Sequence, residues 1–477
     1  MFFRRLWDKK YVILCLIGAA CFILPMVYII RAAHLAADDF VYGADTHAVY
    51  AATGSILETL KEAFPITRWW YNNWQGSYSS MFLMIMQPGI FSVAAYRIGL
   101  LLIFVLLIAS PVLLGFVINR HYLNMPARCL ILMLCSVLFL WTQYLPSVFE
   151  GLYWYNSAVY YTFTFSVVML GITMLILLDR AKSAGLKALW FFLLFIACVL
   201  VGGSNYPIAL CSACAFAVFV FLMMLRKNRN RRLYLGLFVV FLAAFALNIT
   251  APGNALRMSN YSSTHMSLPF VFIGSVGAFG DDFLAWSGKT PLLAFIIMAA
   301  AFSPAIVKDA KVRFVHPALA VTLCALLLLS QYVPTMYAIS NKGPLRAENI
   351  RYMVFVLFTW ACTVNAFGWQ YQRQGEEKKP VLSKAAAGFL AAVVCMVSLS
   401  MVPLAQMWGY KAAMHIVQNN IDRLYSEMNK RIAHILETGE YLREYNQEAC
   451  INDMLRPEEV MWWNEVDEFY RGEPFTK

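Results

Sequence analysis

Apolar stretches near 20 residues recur along most of this chain, separated by short polar connections. Each is long enough to cross about 30 Å of hydrocarbon as an α-helix. The pattern predicts about eleven spans: Tyr11–Ile30, Tyr96–Ile118, Ala127–Leu145, Ser157–Leu178, Leu186–Gly202, Tyr206–Leu225, Leu233–Ile249, Pro291–Val307, Val315–Val333, Tyr352–Trp369 and Ala385–Val402. The ten-residue alternation of an outer-membrane barrel is missing. The expected fold is therefore all-α, a polytopic transmembrane helical bundle. Two more apolar stretches, Met81–Ala95 and Phe270–Trp286, would break the alternation of loops if they crossed, so they are placed as interfacial or re-entrant helices on the outer side. Gln87-Pro88-Gly89 in the first and Gly274, Gly277 and Gly280 in the second fit interrupted segments.

Composition agrees: 61% of the 477 residues are hydrophobic and 14% charged, against about 25% charged in a soluble domain. The first apolar run follows a basic start and exceeds a signal-peptide core, so it reads as an uncleaved anchor. Ten of the eleven cysteines lie in or beside apolar runs, leaving Cys450 in the polar tail, and no disulfide framework is implied. Cys211 and Cys214 form a CxxC inside an apolar helix with no second ligand pair, which reads as two small core residues.

A net charge of +11 raises the question of a nucleic-acid partner, and its distribution answers it. Alternate connections hold Arg4, Arg5, Lys9 and Lys10; Arg120 and Arg128; Arg180, Lys182 and Lys187; Arg226, Lys227, Arg229, Arg231 and Arg232; Lys308, Lys311 and Arg313; and Arg373, Lys378, Lys379 and Lys384, 21 bases on one side. The opposite short loops, 147–156 and 203–205, hold none. This asymmetry is the positive-inside pattern, with a cytoplasmic N-terminus and an external tail. The basic loops are too short for a site and contain no P-loop or GxGxxG, which argues against a cytoplasmic nucleotide-using enzyme. Function is expected outside, in Arg31–Ala95, Thr250–Thr290, Pro334–Arg351 and the tail. Two domains follow, a transmembrane domain over 1–403 and a helical tail over 404–477. From Pro403 onward the chain has 13 acids and 8 bases. Ile421, Leu424, Met428, Ile432 and Ile435 recur there at helical spacing, and Trp462 and Trp463 suit an interfacial position.

Three constellations in the outer segments have chemical potential. Asp38-Asp39 follows the first span; adjacent carboxylates at a membrane boundary repel each other and resist desolvation, which points to chemistry or cation binding, or to a helix cap. The same loop holds Asp45, His47, Glu58, Arg68, Trp69-Trp70-Tyr71 and Asn72-Asn73-Trp74-Gln75-Gly76. Aromatic rings beside amides and acids suit the stacking and hydrogen bonding of a sugar, and equally an interfacial aromatic belt. Glu150, Tyr153 and Asn156 in Phe149–Asn156 offer a second wall. Finally Arg257, Lys342, Arg346 and Arg351 are bases on the side that otherwise avoids them. They fit a phosphate or pyrophosphate group at the membrane surface, or lipid headgroups, or pairing with Glu348.

With the acid pair after a basic N-terminus and first span, and a long outer loop behind it, the chain resembles the GT-C class of polytopic glycosyltransferases. Asp38-Asp39-Phe40 followed by Tyr71-Asn72-Asn73-Trp74-Gln75-Gly76 looks like an uncharacterised bacterial family near the glucosyltransferases that decorate O-antigen. The resemblance implies a multi-pass protein of the bacterial inner membrane that transfers sugar from a polyprenyl-phosphate donor to a cell-envelope glycan or lipid. It implies Asp38 or Asp39 as catalytic base, whereas Asp45, Arg68, Trp74, Gln75, Glu150, Tyr153, Asn156, Arg257, Lys342, Arg346 and Arg351 are expected around the substrate from their residue types in the outer segments. A divalent metal is compatible, with no ligands assigned. The Trp-Trp-Asp-Tyr-Gly type signature of oligosaccharyltransferases is absent. The competing classes are a flippase or transporter of a lipid-linked sugar and a glycan polymerase or ligase.

Overall fold

The computed structural model describes residues 2–261, 266–374 and 378–438, with 454, 455 and 469 of the tail. Cys450, Trp462, Trp463 and the Ile435 side chain lie outside the described residues. Among those described there is no strand, and ten helices are long and apolar enough to cross a membrane. Their outer faces carry exposed apolar side chains such as Ile13, Leu24, Phe221 and Phe389, as a lipid solvent requires.

Helix α1 (Phe2–Ile29) leads through a short turn and an extended segment to α2 (Asp38–Thr53), α3 (Ile56–Asn73) and α4 (Tyr78–Ile85). A 3-10 turn at Pro88–Ile90 then opens into α5 (Val93–Ile118). The interruption expected at Gln87-Pro88-Gly89 is therefore present. Ser55 and Ser92 cap α3 and α5 by accepting the backbone N–H three residues on. Nine expected spans coincide with full-length helices, and a tenth is the shorter Ala127–Gln143. Pro291–Val307 is two pieces, Leu292–Ala300 and Ser303–Val307. Pro304 opens the second piece, where a missing N–H costs least.

The other glycine-marked segment departs from expectation. Leu268–Lys289 is one unbroken helix; Gly277 and Gly280 face open space and interrupt nothing. It is one of the ten helices long and apolar enough to cross. Gly274 lies against Met336, Asp282 pairs with Lys342, and Thr290 O accepts from Ser398 Oγ at 3.1 Å, while Phe272, Ile273 and Leu284 are exposed.

Between crossing helices the packing uses small residues and buried hydrogen bonds. A Cβ on Gly202 would come within 2.8 Å of Ala244 Cβ and 3.0 Å of the Phe245 nitrogen, which lets the Ala184–Gly202 and Arg231–Ile249 helices approach closely. Trp141 Nε1 donates to Met353 O at 3.2 Å, and Tyr352 donates to Leu140 O at 3.2 Å. Each such bond is worth on the order of 1 kcal/mol in a membrane bundle.

Candidate functional site

The acid pair is set by the segment between α1 and α2. Ala37, buried, has φ 49 and ψ −127, a conformation that costs an L-residue about 1–3 kcal/mol and is kept only where surroundings impose it. Those surroundings are polar and buried. His34 Nδ1–H donates to Ala32 O at 2.7 Å, and its Nε2 accepts from Arg97 Nη2 at 3.1 Å. Arg97 Nε also holds Ala33 O at 2.9 Å. A guanidinium only donates, so Nε2 is unprotonated and the ring neutral. Burial, with the Arg97 charge, lowers His34 to about 3.

The kink delivers the two carboxylates to different environments. Asp39 is fully buried. Its Oδ2 accepts the Tyr96 hydroxyl at 2.7 Å and the Ala36 N–H at 3.0 Å, and its Oδ1 accepts the Asn156 N–H at 3.1 Å. The bond back to Ala36 ties down the segment before α2, while Ala37 stands at the cap position and no side chain caps the first turn, so neither acid is a helix cap. Burial raises its carboxyl to about 7, against the three donors that favour the anion. Asp38 is half-buried and lies within electrostatic reach of Arg346. Of the pair, Asp38 is the less buried.

Arg346 belongs to the Leu345–Arg373 helix, and its partner is Glu150. Glu150 Oε2 accepts the Arg346 backbone N–H at 2.9 Å and its Nη1 at 3.3 Å, while the guanidinium lies 5.3 Å from the Trp154 ring centre. The 147–156 loop is registered on this helix by Asn349, whose amide accepts from Ser147 N at 2.8 Å and donates to Ser147 O at 2.7 Å. Tyr153 is a packing residue, buried with its hydroxyl on Met26 O of α1 at 2.8 Å. Asn156, which touches Asp39 through its backbone, has a buried side-chain amide with no hydrogen-bond partner on either atom, and Trp154 Nε1 is also unpartnered. Buried polar atoms of this kind call for a ligand or water.

The four bases do not form one cluster. Lys342 is paired with Glu348 at 3.4 Å, the alternative read from the sequence, and with Asp282 at 2.7 Å, which was not expected. Arg257 lies 5.1 Å from the Trp74 ring centre and donates to Gln75 Oε1. Gly76 N and the Tyr206 hydroxyl both donate to Asn254 Oδ1, at 2.8 and 2.6 Å. These bonds make Trp74, Gln75 and Arg257 a seam between α3 and the Pro252–Tyr261 helix. Gly76 is obligatory there, since a Cβ would overlap Asn248 O. Arg351 is fully buried, 4.3 Å from the Tyr332 ring centre, with Nη2 on Lys342 O; its Nε and Nη1 have no partner. Asp45 is half-buried on α2, and Arg68 is exposed on α3, as is Glu58, which pairs with Lys61 at 2.8 Å.

An apolar cavity of about 590 Å³ opens between the helices and runs from Ile350 and Gln331 to Asp179, Arg180 and Tyr234. Among the described residues no group of three or more His, Cys, Asp or Glu is placed to hold a metal ion. Tyr96, His34, Arg97 and Asp282 were not singled out from the sequence. Only Asp282, an acid inside an apolar run, gave a signal there. No protein-family model, no curated protein and no solved structure matches the chain.

Proposed function

We propose that the protein is a membrane glycosyltransferase that moves a sugar from a polyprenyl-phosphate donor to an envelope glycan or lipid acceptor on the outer side of the bacterial inner membrane. The observation that carries this reading is the division within the acid pair: Asp39 is locked by three donors, and Asp38 is held beside it, half-buried, within reach of Arg346.

In this reading Asp38 takes the proton of the acceptor hydroxyl as general base. The acceptor oxygen forms its bond to the anomeric carbon, the bond from that carbon to the phosphate oxygen breaks, and the phosphate leaves with the electron pair. The unpartnered Nε and Nη1 of Arg351 receive the growing phosphate charge, in a buried setting where such contacts are strong. The Asn156 amide and the Trp154 indole N–H are available to sugar hydroxyls. The cavity next to Ile350 has the size and apolar lining for part of a lipid chain. Charged groups gathered at one end of the bundle favour transfer over transport, which places them near the midplane.

The test is donor turnover in vesicles containing the purified protein, a labelled polyprenyl-phosphoryl hexose and an envelope-lipid extract. Label moving into the extract supports the transferase. Label crossing the bilayer while still on its lipid establishes the flippase instead.

A further inference from the structure

The C-terminal arm meets the acid-bearing segment from two sides. On one side the Asn420–Thr438 helix buries Ile421, Leu424 and Met428. Its polar residues reach the segment before α2: Tyr425 lies 4.9 Å beneath the Arg97 guanidinium, Asn429 hydrogen-bonds His34, and Asp422 pairs with Arg31 at 3.3 Å. Arg97 and His34 are the groups that hold Ala32 and Ala33 just before the Ala37 kink.

On the other side Phe469, buried, stacks on His47 with ring centres 4.2 Å apart and planes 10° apart. It also meets Phe40 edge-on at 5.5 Å. Phe40 follows Asp39 in the chain, and Gly43 leaves room for the ring, since a Cβ there would lie 3.2 Å from Phe469 Cε2. One face of α2 thus presents Phe40, Gly43 and His47, over two turns, to a single side chain from the far end of the sequence. His47 is fixed in turn by its Nδ1–H on Ile90 O at 2.7 Å.

We propose that the C-terminal arm is a clamp that sets the position of α2 and its acid pair, with Phe469 as a positioning residue. The Asn420–Thr438 helix then holds the segment before α2, and Phe469 holds one face of α2 itself. The clamp rests on the transferase reading only for its consequence on turnover.

Hydrogen exchange on the full-length protein in lipid nanodiscs tests it, comparing wild type with Phe469→Ala and the milder Phe469→Leu. Two lost aromatic contacts should speed exchange of the residue 42–47 amides by about tenfold or more in Phe469→Ala, and less in Phe469→Leu, with α3 unchanged. Should Phe469→Ala fail to fold, the same localised change is expected of Phe469→Leu. Unchanged α2 exchange overturns the clamp, and so does equal loosening of α2 and α3. If the transferase reading also holds, the variants lower kcat and leave KM for the polyprenyl-phosphoryl hexose unchanged. Loosened α2 with full turnover keeps the clamp and removes the acid pair from the reaction.

Discussion

The Tyr96 hydroxyl donates to Asp39 Oδ2 at 2.7 Å, and the Tyr96 hydroxyl oxygen itself accepts the Tyr155 N–H at 3.1 Å. One hydroxyl thereby joins α5, the start of α2 and the loop that contains Glu150 and Asn156. Tyr96→Phe removes a donor from a buried carboxylate and strands a buried N–H. The expected cost is about 1–3 kcal/mol of stability, read from thermal unfolding in detergent. An unfolding midpoint equal to wild type would mean that the junction is held elsewhere.

The two acids should separate by substitution. Asp38→Asn keeps shape and removes the proton acceptor, so turnover falls by about 100- to 10,000-fold while folding stays near wild type. Asp39→Asn replaces an oxygen that accepts with an amide that donates, against N–H and O–H groups that also donate. Its main effect is therefore a loss of folded protein. The reverse pattern would make Asp39 the base.

Asp39 also sets a pH signature. Its folded value, about 7, lies above the ordinary 3.8, so between these values the folded state binds the proton more tightly than the unfolded one. Its contribution is fully present below about pH 4 and is lost as pH rises through about 7. Unfolding followed from pH 4 to 8 should show this decline in wild type and a flatter profile in any Asp39→Asn protein that folds. Parallel profiles would assign the decline to other groups.

Arg351, buried, and Arg346, half-buried, make contrasting predictions. Arg351→Ala removes N–H groups that have no protein acceptor, so affinity for a polyprenyl phosphate should fall about 10- to 150-fold. Arg346→Ala removes the guanidinium from Glu150 but leaves the backbone N–H on Glu150 Oε2, so the expected cost is about 1–3 kcal/mol of stability. Binding isotherms beside unfolding curves separate the effects. Unchanged affinity in Arg351→Ala would reduce that residue to a structural role.

The crossing helices were legible because each needs a continuous apolar run, and without the alternation of a closed barrel a backbone in lipid is satisfied only as helix. The same constraint explains the error at Gly274, Gly277 and Gly280: glycine marks a break where water can take the freed backbone groups, and this helix keeps them bonded. Within the site, the pairing of Asp38 with Asp39 was visible, but their division of labour was not. It depends on Tyr96, Ala36 and Asn156, and two of these are far away in sequence. Lys342 looked like one of four equivalent bases, and only the fold brings Asp282 to it. Phe469 gave no signal at all, because its notch is built by a missing side chain at Gly43.

Orientation is checked by labelling single cysteines in intact cells. Positions 45 and 342 should react from outside and position 229 only after permeabilisation, given 21 bases in alternate loops. External reaction at 229 would reverse the bundle.

The most direct measurement is transfer itself, with wild type and Asp38→Asn reconstituted in parallel and supplied with a labelled polyprenyl-phosphoryl hexose and an envelope-lipid extract. The account predicts that label enters the extract with wild type and that the rate drops by about 100-fold or more with Asp38→Asn, donor binding being retained. Equal rates from the two proteins, or translocation of intact donor without transfer by wild type, would contradict it.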